Sequence, residues 1–303
     1  MEFENIIGNT EVKKYLSNSI EQNNILHSYL FLGTEGIGKL LIAKAFSKKI
    51  LCQEEKDDIK CNCKSCLCFD GNNHPDFTII NEEGESIKIE QIRDITEKVI
   101  EKPIISSKKV YIINDCDKMT KEAQNCLLKT LEEPPEFVVL ILISSNENLI
   151  LNTIKSRCMS IKFHPIVDEV LKKYALEKLE YTSINDNMLK SFHGSIGKAI
   201  KQKNNQEKYL QIEKVISYME TKDIVDIMLE AKILYDKENI DDILDYVIVC
   251  LFSHAEQNKQ YIYCIEYVNK CLQRIRCNSN FDMSIDTMLF DIWEEVNENR
   301  SRS

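Results

Sequence analysis

The first half of the chain alternates short apolar segments with amphipathic ones. The apolar segments predict buried strands, and they lie at residues 29–32, 77–80, 110–113, 137–143 and 160–163. Apolar residues three or four positions apart predict helices before and between them, at residues 11–23, 40–46, 90–101 and 121–132. Strands that alternate with helices predict a doubly wound parallel sheet, in an α/β domain that we place at residues 1–165.

The second half shows helical spacing alone. All five prolines lie at or before Pro165, and the chain beyond Gly197 has neither proline nor glycine. Short helices, the first with Val170 and Tyr174 on its apolar face, predict a small helical domain at residues 166–206 that ends in the polar stretch 201–208.

Five more helices predict a third domain at residues 207–303. Their apolar faces comprise Ile212/Val215/Ile216, Ile224/Ile227/Met228, Ile243/Val247/Leu251, Ile262/Ile265/Val268/Leu272 and Ile285/Leu289/Ile292. These faces predict a helical core, although a surface that binds partner helices would use the same residue types.

The segment between the first strand and the second helix has the spacing of a phosphate-binding loop. Gly33, Gly36 and Gly38 precede Lys39, which gives Gly-x4-Gly-Lys between a strand and a helix. Glycines let backbone N–H groups approach phosphate, and the lysine reaches the terminal phosphates. The next residue should be Ser or Thr, whose hydroxyl binds Mg²⁺, but it is Leu40.

A second difference from P-loop proteins that hydrolyse nucleotide lies at the end of the strand at residues 110–113. In P-loop proteins that hydrolyse nucleotide, an Asp at this position helps to hold Mg²⁺, and in one large branch a Glu follows it. Here Asn114 stands in place of the Asp and Asp115 in place of the Glu. Both departures weaken Mg²⁺ binding, so we expect a site that turns over ATP poorly, and ATP binding itself is doubtful. The alternative is a glycine-rich turn unrelated to nucleotide.

The hydrophobic content, the net charge and the cysteine count exclude several classes of protein. With 43% hydrophobic and 29% charged residues and no apolar run near 18 residues, the chain is expected to be cytoplasmic and not membrane-bound. Its net charge of −10 argues against autonomous binding to nucleic-acid phosphates, although contact with DNA within a more basic assembly stays open. Its 12 unevenly spaced cysteines indicate a metal site or buried thiols rather than disulfides.

Residues 127–135, with the sequence LLKTLEEPP, resemble a motif of the bacterial clamp-loader subunits of the AAA+ family. Other stretches match in the expected order; they are 6–8 (IIG), 27–31 (HSYLF), 71–76 (GNNHPD), 153–158 (TIKSRC) and 194–199 (GSIGKA). Within the family, the chain is more similar to the delta-prime branch than to the ATP-hydrolysing gamma/tau branch. The latter would have Thr or Ser at position 40, Asp-Glu at 114–115 and an arginine in place of Gly197.

This resemblance implies an AAA+ domain with a zinc-binding insertion at about residues 52–68, a small helical lid and an all-α collar for oligomerisation. It also implies a hetero-oligomeric ring with gamma/tau and delta subunits, which opens the sliding clamp and places it on primed DNA. In that ring the chain would be a stator without ATP turnover of its own.

The resemblance assigns a role to Arg157 as well. This residue, in Ser-Arg-Cys, matches the family's trans-acting arginine, which reaches the ATP of the adjacent subunit. A guanidinium suits this role because it spreads its charge over the γ-phosphate oxygens in the transition state. The alternative is an arginine that pairs locally or caps a helix.

A structural zinc site is also implied. Cys52, Cys61, Cys63 and Cys66 match the family's four ligands, and thiolates in close spacing suit tetrahedral Zn²⁺. The family has two residues between its second and third cysteines and this chain has one, so Cys68 could replace a ligand. His74, in a loop, is expected to be structural.

Competing functions remain at this stage. The leading one is a zinc-containing scaffold without ATPase activity that supplies Arg157 in trans. The alternative is an active AAA+ ATPase of the gamma/tau kind, which would use Lys39 for phosphates and Asp115 and Asp117 for metal or water. A direct DNA-binding module is disfavoured by the acidic charge.

Overall fold

In the computed structural model, which describes residues 3–54, 61–81 and 86–297, the chain folds into two compact units. The first ends at Val167 and the second begins at Asp168. The first is an α/β unit and the second is helical, as the sequence predicts. Within the described residues, no helix combines the length and the apolar character needed to cross a membrane.

A parallel sheet of five strands forms the centre of the first unit. The strands are β1 (Ser28–Leu32), β2 (Phe77–Ile80), β3 (Lys109–Ile113), β4 (Val138–Ser144) and β5 (Met159–Lys162). Their spatial order is β2-β3-β4-β1-β5, and every neighbouring pair is parallel. Each strand lies within one residue of its predicted segment at both ends, which confirms the strand predictions.

Helices cover both faces of this sheet. They are α1 (Thr10–Glu21), α2 (Lys39–Leu51), α3 (Lys64–Asp70), α4 (Ile89–Lys98), α5 (Lys121–Glu132) and α6 (Asn152–Lys155). Successive residues of β1 enter different cores: Tyr29 and Phe31 pack with α1 and α2, whereas Leu30 and Leu32 pack with α4 and α5. Burial on both faces explains why the strands are continuous apolar runs.

Eight helices make up the described part of the second unit, together with short 3₁₀ turns. They are α7 (Asp168–Lys178), α8 (Asp186–Ser191), α9 (Ile196–Lys203), α10 (Gln206–Ser217), α11 (Ile224–Glu230), α12 (Ile240–Ala255), α13 (Tyr261–Arg276) and α14 (Phe281–Asn297). Only Asn204 and Asn205 separate α9 from α10, so the polar stretch 201–208 is largely helical. A division into lid and collar near residue 206 stays a prediction.

Two of these helices bury a face that overlaps the predicted one but is rotated from it; Val268, for example, belongs to both. In α7, Leu171 and Ala175 are buried and Val170 is exposed. In α13, Ile262 is half exposed, and the buried face consists of Tyr261, Cys264, Val268 and Cys271. Small residues carry part of these cores, since a free thiol packs as a small apolar group. Patterns drawn from large aliphatic residues therefore missed them.

A buried polar network fixes the loop that leads into β2. The Asp76 carboxylate accepts the backbone N–H groups of residues 104–106 at 2.7–2.8 Å. The His74 ring bonds through Nε2 to Ser65 Oγ (2.8 Å), and its Nδ1 accepts the N–H of Asp76 (3.0 Å). Burial raises the pKa of Asp76, but the three N–H donors outweigh burial and lower it. His74 is therefore structural, and the network ties α3 to the segment before β3.

We expect Asp76→Asn to destabilise the chain by about 1–3 kcal/mol, because an amide offers one acceptor oxygen and turns an NH₂ group towards N–H donors. Urea unfolding at neutral pH measures this loss. The folded pKa of Asp76 lies below its unfolded value, so its contribution is fully present above about pH 4 and is lost as the pH falls through the folded pKa.

The matched control is Glu97→Gln, an exposed carboxylate on α4, for which a change within about 0.5 kcal/mol is expected. The Asp76→Asn and unsubstituted chains should also converge in stability in acid. Equal losses at the two positions would contradict the role assigned to the Asp76 network.

Candidate functional site

The predicted phosphate loop joins β1 to α2, and its conformation depends on its glycines. Gly33, Gly36 and Gly38 have φ angles of 155°, 75° and 92°, which residues with a Cβ rarely adopt. A Cβ on Gly33 would also lie 2.8 Å from Ile37 Cδ1 and 2.9 Å from the carbonyl oxygen of Phe163. The turn therefore requires the glycine spacing that the sequence shows.

Lys39 lies inside this loop rather than in solvent. Its ammonium donates to the carbonyl oxygens of Gly33 (2.5 Å) and Thr34 (2.7 Å), and the residue is only 7% exposed. Burial lowers the pKa of Lys39, and the nearby carboxylates of Asp115 and Asp117 oppose that shift. The structure thus brings the lysine and the acidic residues that follow β3 into one electrostatic environment.

Leu40 is a packing residue in the first turn of α2. Its side chain is half buried and packs against the apolar core on the α1 and α2 face of the sheet. A hydrocarbon side chain offers no oxygen to Mg²⁺, which binds oxygen ligands. The position that normally supplies a metal-binding hydroxyl therefore contributes to the core instead.

Asn114 is engaged with the end of the neighbouring strand. Its side-chain nitrogen donates to the carbonyl oxygen of Asn81 (3.2 Å), and the Asn81 side-chain nitrogen donates to the carbonyl oxygen of Asn114 (3.3 Å). The backbone N–H of Asn114 also donates to Ile80. The amide group thus links β3 to β2, and sequence reasoning gave no sign of this reciprocal pair.

The two carboxylates near Lys39 each have a partner within the chain. Asp115, which has a φ of 47°, lies 3.1 Å from Lys118 Nζ. Asp117 accepts the N–H (3.1 Å) and the hydroxyl (3.3 Å) of Ser145, directly after β4. The serine is a residue of this site that sequence reasoning missed, and its place after an apolar strand is the signal that could have found it.

Arg157 lies at the opposite edge of the sheet from the phosphate loop. It precedes the amino end of β5, whereas Gly33 follows the carboxyl end of the parallel strand β1. Its Nη1 donates to the Thr153 carbonyl oxygen (3.0 Å) and Ser156 Oγ (3.3 Å), and its Nη2 lies 2.8 Å from Glu132 Oε1. A local pairing is therefore present, and the side chain is still 35% exposed. Glu132 was not predicted.

Four thiols converge beside α3. The Sγ atoms of Cys52, Cys61, Cys63 and Cys66 all lie within 4.8 Å of one another. The separation is 3.5 Å between Cys52 and Cys61 and 3.9 Å between Cys52 and Cys63. Four sulfurs at about 2.3 Å from a tetrahedral zinc would lie about 3.8 Å apart, so the cluster has the size of a metal site.

Neither Cys68 nor His74 joins this four-sulfur group among the described residues. Residues 55–60 of the predicted insertion lie outside the described part of the chain. Cys63 Sγ accepts the N–H of Cys66 (3.4 Å) at the start of α3. Burial raises the pKa of the Cys63 thiol, but the N–H groups of Gln53 and Cys66 help to lower it to about 7. A thiolate is the form that binds metal, and the surroundings of Cys63 favour it, whereas burial raises the pKa of Cys66.

Comparison with known proteins identifies the family. Residues 8–167, more than half of the 303-residue chain, match the family model described as DNA polymerase III, delta subunit. The delta-prime subunit of DNA polymerase III from Bacillus subtilis is 34% identical over 209 residues, which cover 69% of this chain and 63% of that protein. The tau subunit of the same organism is 36% identical over 170 residues, which cover 56% of this chain and 30% of that protein.

A solved structure supports the fold over a longer range. A DNA polymerase III gamma subunit-related protein from Thermotoga maritima matches 95% of this chain and 99% of its own, with a TM-score of 0.53 and 17% identity. The chain spans less than two thirds of the length of the two curated relatives above. The family model and the delta-prime relative agree with the resemblance seen in the sequence, and the chain belongs to the DNA polymerase III, delta subunit family.

Proposed function

We propose that this chain is the delta-prime subunit of a bacterial clamp loader. In this role it joins gamma/tau and delta subunits in a cytoplasmic hetero-oligomer that opens the sliding clamp and places it on primed DNA. Its membership of the family and its similarity to a delta-prime subunit over 69% of its length support this function. Its net charge of −10 suits contact with DNA as part of the complex rather than alone.

The chain does not hydrolyse ATP in this proposal. The observation that carries it is the engagement of Leu40 and Asn114, the two positions that would bind Mg²⁺. Leu40 packs against the core, and the Asn114 side chain is bonded to Asn81. With no oxygen on the side chain at position 40 and a neutral amide in place of a carboxylate at position 114, the protein binds a metal that bridges the β- and γ-phosphates only weakly.

Arg157 acts on the nucleotide of an adjacent subunit. It lies at the edge of the sheet opposite to the chain's own phosphate loop. The intervening strand length of roughly 15 Å exceeds the reach of an arginine side chain. A partly exposed guanidinium that cannot serve its own loop is suited to a neighbour's γ-phosphate.

The four-cysteine cluster holds a structural zinc. Four thiols whose sulfurs all lie within 4.8 Å of one another, with Cys63 and Cys66 buried, fit this ion. When bound, zinc cross-links the segment after α2 to the start of α3. No step of ATP hydrolysis or clamp loading is assigned to it.

An active ATPase of the gamma/tau kind is the second candidate. The complete glycine turn, the position of Lys39 and the similarity to a tau subunit favour it. In that case Asp115 and Asp117 would have to leave their present partners, Lys118 and Ser145, in order to bind metal or orient water.

ATP binding and turnover by the purified chain distinguish the two candidates. We expect no Mg²⁺-dependent turnover, because Leu40 supplies no oxygen and Asn114 supplies a neutral amide in place of a carboxylate. The double variant Leu40→Thr/Asn114→Asp introduces a hydroxyl at position 40 and a charged carboxylate at position 114, and should bind Mg²⁺-ATP more tightly, about tenfold or more if each ligand contributes. Mg²⁺-dependent turnover by the native chain would support the ATPase instead.

Arg157→Ala tests the trans-acting role. A trans-acting arginine raises the rate of hydrolysis about 10³-fold or more at the ATP site that it reaches. Without it, DNA-dependent turnover by the assembled complex should therefore lose nearly all of the contribution of that one site. Assembly, measured by gel filtration, should be unaffected. Arg93→Ala, an exposed arginine on α4, serves as the control. Unchanged turnover in the Arg157 variant would remove the assignment.

Elemental analysis tests the metal. We expect about one zinc per chain, lost in Cys63→Ser together with thermal stability, because binding free energy is also folding free energy. Cys68→Ser lies outside the four-sulfur group and should keep its zinc. A metal-free chain that is fully folded and equally stable would rule out a structural zinc.

A further inference from the structure

The guanidinium of Arg157 is held from two directions. Nη1 donates to the carbonyl oxygen of Thr153 and to Ser156 Oγ, both in the turn that precedes it. Nη2 is paired with Glu132 Oε1 at 2.8 Å, and this carboxylate comes from the last residue of α5. The bonds to Thr153 and Ser156 hold only Nη1. The contact of Nη2 with Glu132 adds a second fixed point, and the two together fix the plane of the guanidinium.

Glu132 takes its position from α5 and not from Arg157. The helix begins at the Thr120 hydroxyl, which accepts the N–H of Ala123 at 3.2 Å. It packs Leu127 and Leu131 into the core on the α4 and α5 face of the sheet. The carboxylate is therefore an anchored point at the end of a packed helix, inside the LLKTLEEPP motif.

We propose that Glu132 is a positioning residue for Arg157, and that its carboxylate orients the guanidinium towards the nucleotide of the adjacent subunit. The inference rests on the proposed trans-acting role of Arg157 and extends it to a second residue. Glu132 does not itself touch the nucleotide.

The physical basis is pre-organisation. Arginine has a long, flexible side chain, and a guanidinium already held in one plane loses less freedom when it meets phosphate. The three bonds to Glu132, Thr153 and Ser156 use three of the five N–H donors of the group. The Arg157 side chain is still 35% exposed, so its remaining N–H groups can meet a phosphate while the carboxylate holds the plane of the guanidinium.

The test measures DNA-dependent ATP turnover by the assembled clamp loader that contains each variant of this chain, with kcat and KM for ATP determined separately. We expect Glu132→Ala to lower kcat about twofold to fivefold, the range that an exposed ion pair contributes. KM for ATP should change little, because the arginine acts mainly on the transition state. Glu132→Gln keeps an acceptor oxygen and should retain more activity than the alanine variant.

Glu133→Ala is the matched control, since this neighbouring residue is also exposed at the end of α5. It should leave kcat unchanged, and gel filtration should show equal assembly for all variants. In the Arg157→Ala background, Glu132→Ala should cause no further loss of turnover. A further loss there would show that Glu132 acts on another group, and would overturn the inference.

The remaining outcomes separate the inference from the role on which it rests. If Arg157→Ala lowers turnover and Glu132→Ala does not, the positioning role fails and the trans-acting role stands. If Arg157→Ala has no effect, both fail. Higher turnover in Glu132→Ala would mean that the ion pair holds the arginine back, which also overturns the positioning role.

Discussion

All five strands of the sheet run in one direction, and this constraint decides where each functional group lies. The carboxyl ends of parallel strands share one edge. The phosphate loop after β1, Asn114 after β3 and Ser145 after β4 therefore come together there. The amino ends share the other edge, where Arg157 precedes β5. One unit thus carries the glycine turn at one end of the strands and Arg157 at the other, which is the arrangement that the proposed ring requires.

The elements of the sheet could be predicted because burial on both faces turns each strand into an apolar run. The helix at 121–132 was predicted at its observed bounds from the spacing of its apolar residues, and in the structure the Thr120 hydroxyl caps its amino end. The buried faces of α7 and α13 could not be predicted in the same way. Alanine and cysteine carry part of those cores, and neither stands out in a hydrophobic pattern.

The candidate site, too, was predictable only in part. Positions 40 and 114 were recognisable because the spacing of a phosphate loop fixes what each should be. Their actual partners were not, since the bond from Asn114 to Asn81 and the ion pair from Arg157 to Glu132 join residues that are distant in sequence. The Asp76 network was missed for a similar reason: a carboxylate that binds three backbone N–H groups leaves no periodic trace.

The position of Lys39 has a consequence for the whole complex. Its ammonium donates to two carbonyl oxygens of its own turn, so the loop is bonded from within by the same lysine that a phosphate would meet. In the role that we propose, folding of this unit would not depend on the ratio of ATP to ADP in the cell. In the clamp loader that we propose, such a chain would provide a fixed reference against which the nucleotide-binding subunits move.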